Sequence, residues 1–121
     1  MNGFDSKFFT CMDESGDTVV LRLDVPQLTE EDNLEQLDEE FTALVETFGV
    51  RKLVVNLERL NYLTSHAIGK LIGLHRRMQR VEGTLVLCSA GDDVQQILQT
   101  AHLWTYFKMA SSPSEAVTLL A

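Results

Sequence analysis

Val54-Val55-Asn56-Leu57-Glu58-Arg59-Leu60-Asn61-Tyr62-Leu63-Thr64-Ser65-His66-Ala67-Ile68-Gly69 passes from an apolar run through a short polar loop into a helix start. With Leu53 in front, Leu53–Leu57 is nearly continuous in apolar and β-branched residues, the pattern of a central strand covered on both faces. From Ser65 to about Arg80 the period changes to that of a helix. Ile68, Leu71, Ile72, His75 and Met78 line one side, and Lys70, Arg76, Arg77 and Arg80 another. The basic end suits a helix C-terminus. Gly83 breaks the pattern, and Thr84–Cys88 reads as a second buried strand. A strand, a helix and a strand in this order predict parallel strands joined by a right-handed crossover.

Working upstream, Phe8–Met12 and Val19–Leu23 flank the turn-rich cluster Asp13-Glu14-Ser15-Gly16-Asp17, which predicts a hairpin. A helix is expected from Thr29, with Leu34, Leu37, Phe41, Leu44, Val45 and Phe48 at steps of three and four. Thr29 would cap it, Glu30, Glu31 and Asp32 would complement its dipole, and Gly49 would stop it. Downstream, Ser89-Ala90-Gly91-Asp92 leads into a short helix bearing Val94, Ile97, Leu98 and Ala101. Tyr106–Met109 reads as an edge strand. Ser112-Pro113-Ser114-Glu115 combines a capping box with proline at the first helical position, announcing a terminal helix. The expected order is β-β-α-β-α-β-α-β-α in an α/β fold: one domain over residues 1–121, a mixed sheet of four to five strands, and helices packed mainly on one face.

Composition narrows the function. Eighteen acidic against ten basic residues give a net charge of -8, a field that repels nucleic-acid phosphates, so no nucleic-acid partner is expected. No run of eighteen apolar residues exists, which argues against direct membrane insertion. Met1–Asp5 lacks the basic and apolar regions of a signal peptide, and a cytoplasmic location is expected. Cys11 and Cys88 each sit in an apolar run with no CxxC pair, and both are expected as buried, reduced thiols.

The segment from Val54 to Gly69 resembles the signature of the STAS family, in particular its anti-sigma factor antagonists. There a buried strand leads into Asp-Ser-Ser/Thr-Gly-Leu-Gly, whose first serine is phosphorylated by a partner kinase. Ser65 occupies that position and is the implied phosphoacceptor. Thr64 stands for the family's aspartate, His66 for its second hydroxyl residue and Ala67 for its glycine, while Gly69 is kept. Leu74–Met78, Gly83–Leu87, Val94–Leu98 and Leu103-Trp104 resemble family segments in the same order, so the resemblance spans roughly Val19–Leu120. In the family an acidic residue in the loop after the second strand contributes to kinase docking; Pro26-Gln27-Leu28-Thr29 offers none until Glu30.

The resemblance implies a non-catalytic interaction module that docks onto an anti-sigma factor or serine kinase, or another regulatory protein. Its contact residues would be Pro26, Gln27, Leu28, Thr29, Thr64, Ser65, His66 and Ile68. An alternative within the family is a subunit of a transport or sensory assembly that binds without phosphorylation, a reading that Thr64, His66 and Ala67 favour. Homodimerisation stays open.

The residues permit this chemistry on their own terms. A hydroxyl at a helix start lies beside unpaired amides and the positive dipole end, so it can cap the helix or carry a phosphate. Either Thr64 or Ser65 can be the cap. His66, His75 and His102 are too scattered for a metal pair, and no metal or cofactor is expected. Ser65 and His66 are adjacent and do not face each other, so they do not make a nucleophile and base. Neither GxxxxGK[ST] nor GxGxxG is present. Gly69 and Gly73 suggest close packing of their helix on the sheet, and Trp104, Tyr106 and Phe107 suggest core or edge packing.

Overall fold

The computed structural model describes residues 6–15 and 18–121. Its order is β1 (Phe9–Ser15), β2 (Thr18–Leu23), β3 (Gln27–Leu28), α1 (Leu34–Glu46), β4 (Lys52–Asn56), β5 (Tyr62–Leu63), α2 (Ser65–Arg80), β6 (Thr84–Cys88), α3 (Asp92–Thr100), β7 (Lys108–Ala110) and α4 (Pro113–Leu120). Five strands form one mixed sheet in the order β1-β2-β4-β6-β7, antiparallel between β1 and β2 and parallel elsewhere. β3 and β5 form a separate two-stranded pair.

The apolar runs of β4 and β6 follow from what covers them. Leu53 and Val55 lie opposite Leu85 and Leu87 and share a core with Leu37, Phe41 and Leu44 of α1 and Leu71, Leu74 and Met78 of α2. Val94 and Leu98 of α3 join the same core. The other face, Val20, Val54, Val86 and Cys88, is closed by Ala116 and Leu120 of α4. Three helices thus pack on one face and one on the other, so the buried positions of the central strands are apolar on either side except Asn56 at the end of β4, whose amide bonds to Glu58.

Several local expectations shift. α1 begins at Leu34, not Thr29, because Asn33 caps it: its Oδ1 accepts from Gln36 N at 3.1 Å. Thr29–Asp32 closes its own turn, in which Asp32 Oδ2 accepts from Thr29 N at 2.8 Å and Thr29 Oγ1 accepts from Glu31 N at 3.2 Å. Side chains that satisfy their own neighbours' amides hold the chain out of the helix. Glu30, Glu31 and Asp32 are therefore outside it, and Glu35 is the acid of the first turn. The helix closes at Glu46, ahead of Phe48, and Gly49 takes the left-handed conformation at φ 66° that favours glycine.

At the sheet edges, β1 extends through Asp13 and Glu14, with an irregular register between Cys11 and Asp13; the predicted turn residues Gly16 and Asp17 lie outside the described residues. Cys11 is exposed on this edge strand, contrary to expectation, whereas Cys88 is buried. β7 covers Lys108–Ala110 in place of Tyr106–Met109, with Tyr106 exposed and Phe107 buried just ahead of it. Gly73 faces α1, where an added Cβ would meet Arg77 Nη1 and Asp38 Oδ1 at 3.5 and 3.9 Å, whereas Gly69 is exposed, so the two glycines do not act as one packing pattern on the sheet.

Two glycines give opposite stability predictions. A Cβ on Gly83 would stand 2.7 Å from the Arg51 carbonyl oxygen, a backbone atom fixed by its bond from Thr84 N at 2.8 Å. Gly83→Ala should destabilise the fold by roughly 1–3 kcal/mol. A Cβ on exposed Gly69 would meet nothing within 4 Å. Gly69→Ala should stabilise by about 0.5–1 kcal/mol through helix propensity. Urea unfolding of both variants checks the opposite signs.

Candidate functional site

The start of α2 is set by Thr64, whose backbone is extended at φ -86° and ψ 169°. Its Oγ1 accepts from Ala67 N at 3.4 Å and its carbonyl from Ile68 N at 2.9 Å. Thr64 is therefore the cap, and Ser65 is the first helical residue, with its side chain exposed. Threonine retains the capping capacity that an aspartate would supply at this position. Ala67 is buried in the core, and His66 is exposed beside Ser65.

The two sequence segments expected to touch a partner are brought together by a feature too short to show a period, the β3–β5 pair. Gln27 lies opposite Tyr62 and Leu28 opposite Leu63. Asn61 N donates to the Pro26 carbonyl at 2.7 Å, and Thr64 N donates to the Leu28 carbonyl at 3.0 Å. Pro26 and Gln27 are exposed next to Thr64, and Thr29 is half-buried. Leu28 is corrected: its side chain is 0% exposed, so it anchors the pair and offers no side-chain contact. Ile68, at 6% exposure, belongs to the core and shows only an edge to the surface. An apolar side chain at either position is drawn inward by the same burial that builds the core.

Two residues ahead of Pro26, Asp24 ties three segments. Its carboxylate accepts from Thr10 Oγ1, from Arg22 Nε at 2.7 Å and from Arg59 Nη1 at 3.3 Å. Arg59 lies in the loop that leads to β5, so Asp24 braces the loop after β2 against the loop after β4. Partial burial pushes the Asp24 carboxyl up, but the Thr10 and Arg22 hydrogen bonds and the Arg22 and Arg59 charges outweigh it and hold it below the ordinary range.

Alongside Ser65 an open groove of about 990 Å³ runs between the Tyr62–Ser65 segment and α3. Ile68 borders it below, Tyr62 and Ile97 face it, and Glu30 and Asp93 supply its charge. Among the described residues, lysine, arginine and histidine do not line it. Glu30 reaches the groove because α1 starts late and leaves it in the preceding turn. The contribution of α3 escaped the sequence reading; the available signal was its place after β6, at the carboxyl ends of parallel strands where open α/β sheets gather their binding residues.

The remaining candidates do not converge. Among the described residues, groups of three His, Cys, Asp or Glu side chains able to hold a metal are absent. His75 packs edge-on to Tyr106 and Phe107, with ring centroids 4.9 and 5.7 Å away, and burial pushes its imidazole pKa down. Among the described residues no helix is long and apolar enough to cross a membrane.

The Asp24 brace generates a pH-dependent prediction. A carboxyl whose folded pKa is depressed adds stability above its unfolded pKa and loses it as pH falls through the folded value. Asp24→Asn should cost about 1–2 kcal/mol at pH 7, discounted for partial exposure. The gap to the wild type should close as pH falls below about 4. Chemical denaturation across pH checks this, and hydrogen exchange at Asn61 and Thr64 should quicken in the variant.

Three comparisons bear on the site's ancestry. The STAS domain family matches residues 11–116 of the chain. A Bordetella bronchiseptica protein named as a candidate anti-sigma factor antagonist, BtrV, is 31% identical over 84 residues, 69% of this chain and 72% of the relative. An anti-sigma-factor antagonist (STAS) domain protein from Planctomyces limnophilus has a similar structure, with a TM-score of 0.79 at 22% identity over 93% of this chain and 97% of that one. The Bacillus cell fate determinant SpoIIAA in its phosphorylated form gives a TM-score of 0.69 at 23% identity over 93% of this chain and 99% of that one. With a sheet order and a helix start of this kind, and a family match across most of its length, the chain belongs to the STAS domain family and has the fold of its anti-sigma factor antagonists.

Proposed function

We propose that the chain is a non-catalytic, cytoplasmic anti-sigma factor antagonist that docks onto a serine kinase of the anti-sigma class through the surface around Ser65, and that phosphorylation of Ser65 switches this contact. The observation that carries the reading is the exposed hydroxyl of Ser65 at the first position of α2, left free because Thr64 does the capping.

In the transfer step the terminal phosphoryl group of ATP moves from its bridging oxygen to Ser65 Oγ, and the hydroxyl proton passes to a base of the kinase. The product carries a charge of about -1.5 to -2 at neutral pH. It stands at a helix N-terminus, where unpaired amides and the dipole favour an anion. The groove beside it has Glu30 and Asp93 and, among the described residues, no lining cation to neutralise that charge. A partner surface fitted to a neutral hydroxyl would then face a hydrated, doubly charged group, and the contact would open. Gene expression would change indirectly, through the partner released or retained.

The test is incubation of the chain with ATP and purified anti-sigma-type serine kinases from the source organism, followed by mass spectrometry. We expect one phosphate, on Ser65, absent in Ser65→Ala, and a loss of kinase affinity of at least about tenfold in Ser65→Glu, in line with charge placed in an interface. Phosphate on another residue, or none with any kinase, would refute the switch. Full biological activity of Ser65→Ala would favour membership in a transport or sensory assembly.

A further inference from the structure

The groove beside Ser65 has a second wall that the docking reading does not use. Its α3 side contains Asp93 and Ile97, and α3 packs against β5, so this wall and the Ser65 segment form one continuous surface. The buried needs of α3 are met by Val94 and Leu98, both 0% exposed. Ile97 is only partly covered, and it faces a groove that also holds Tyr62, a large side chain 49% exposed. Folding alone would favour a polar residue at the outer edge of such a helix.

The groove also carries charge. At the α1–α2 seam Glu35 pairs with Lys70 at 3.0 Å and Asp38 with Arg77 at 3.1 Å. Asp93 and Glu30, on the groove, have no ion-pair partner among the described residues. Asp93 stands with Asp92 in the first turn of α3, where the dipole favours an acid, and it also lines the groove.

We propose that the α3 wall reads the partner: Asp93 and Ile97 seat a segment of the serine kinase in which a lysine or arginine stands next to an apolar side chain. The inference rests on the docking function proposed above and adds the chemistry of the segment bound. The apolar side chain enters between Tyr62 and Ile97, and the cation reaches the acids at the groove, its aliphatic stem lying along the apolar wall. Such a contact is independent of the Ser65 hydroxyl. It sets which kinase is bound, while Ser65 sets when the contact holds. Electrostatic complementarity of this kind acts chiefly on partner choice and on the rate of encounter.

The test uses the purified anti-sigma-type kinases of the source organism and calorimetric titration of the wild type, Asp93→Lys, Asp93→Asn, Ile97→Glu and a control, Glu39→Lys, on the exposed face of α1. Asp93→Lys and Ile97→Glu should weaken binding about 10- to 100-fold, and Asp93→Asn should flatten its dependence on salt. Glu39→Lys should stay within about twofold, as expected of a charge outside an interface. Thermal melts control for folding, and Asp93, being exposed, keeps the test valid should Ile97→Glu unfold. A kinase that binds the wild type and both α3 variants alike overturns this inference and leaves the docking function standing. If no kinase binds the wild type, both fall together.

Discussion

Strands β4 and β6 have no wet face, and this constraint organises the molecule. Leu53 and Val55 point into the layer of α1 and α2, while Val54 and Val86 point into the cover formed by α4. Backbone groups in such strands are satisfied by lateral pairing; β2, β4, β6 and β7 align in parallel, and each connection between them crosses over through a helix. The carboxyl ends of the strands then emerge together. The loop after β2, the loop after β4 and the start of α3 meet at that end because the core leaves them nowhere else to go.

The surface at that end is assembled mainly from backbone. The two-residue β3–β5 ladder, the Asn61–Pro26 and Thr64–Leu28 hydrogen bonds and the Thr64 cap fix its shape, with Leu28 and Leu63 buried below and the Asp24 brace beside them. This explains why the motif departs from its relatives' pattern without losing the geometry. A threonine can cap as an aspartate does, and the Ala67 methyl fits the core. Ser65 and His66 are the exposed positions of this helix start.

Charge is distributed with the same economy. Glu35 and Asp38 of α1 pair with Lys70 and Arg77 along the seam with α2, whereas Glu30 and Asp93 beside Ser65 are exposed. A net charge of -8 becomes a local property: neutralised where helices meet and expressed where a partner would approach.

The elements that bury a continuous face were legible in the sequence, because a period of two or 3.6 registers directly in residue type: β4, α2, β6 and the apolar stripe of α1 from Leu34 to Val45 stand where their patterns place them, while Phe48 falls beyond the helix end. The serine at a helix start was legible too. What the sequence could not decide were choices among chemically equivalent local options. Thr29 and Asn33 are both competent caps, and only the turn closed by Asp32 hands the role to Asn33. Cys11 sits in an apolar run like that of Cys88, yet it lies on an edge strand, and edge position is a property of the sheet. Leu28 looked like a contact because it neighbours the site in sequence, but burial depends on what packs above it. By itself the sequence determined the layers, since burial on one face or two is written in each residue's own hydrophobicity. Only the tertiary structure decided the site, since the β3–β5 pair and the α3 wall join segments whose closeness no local pattern encodes.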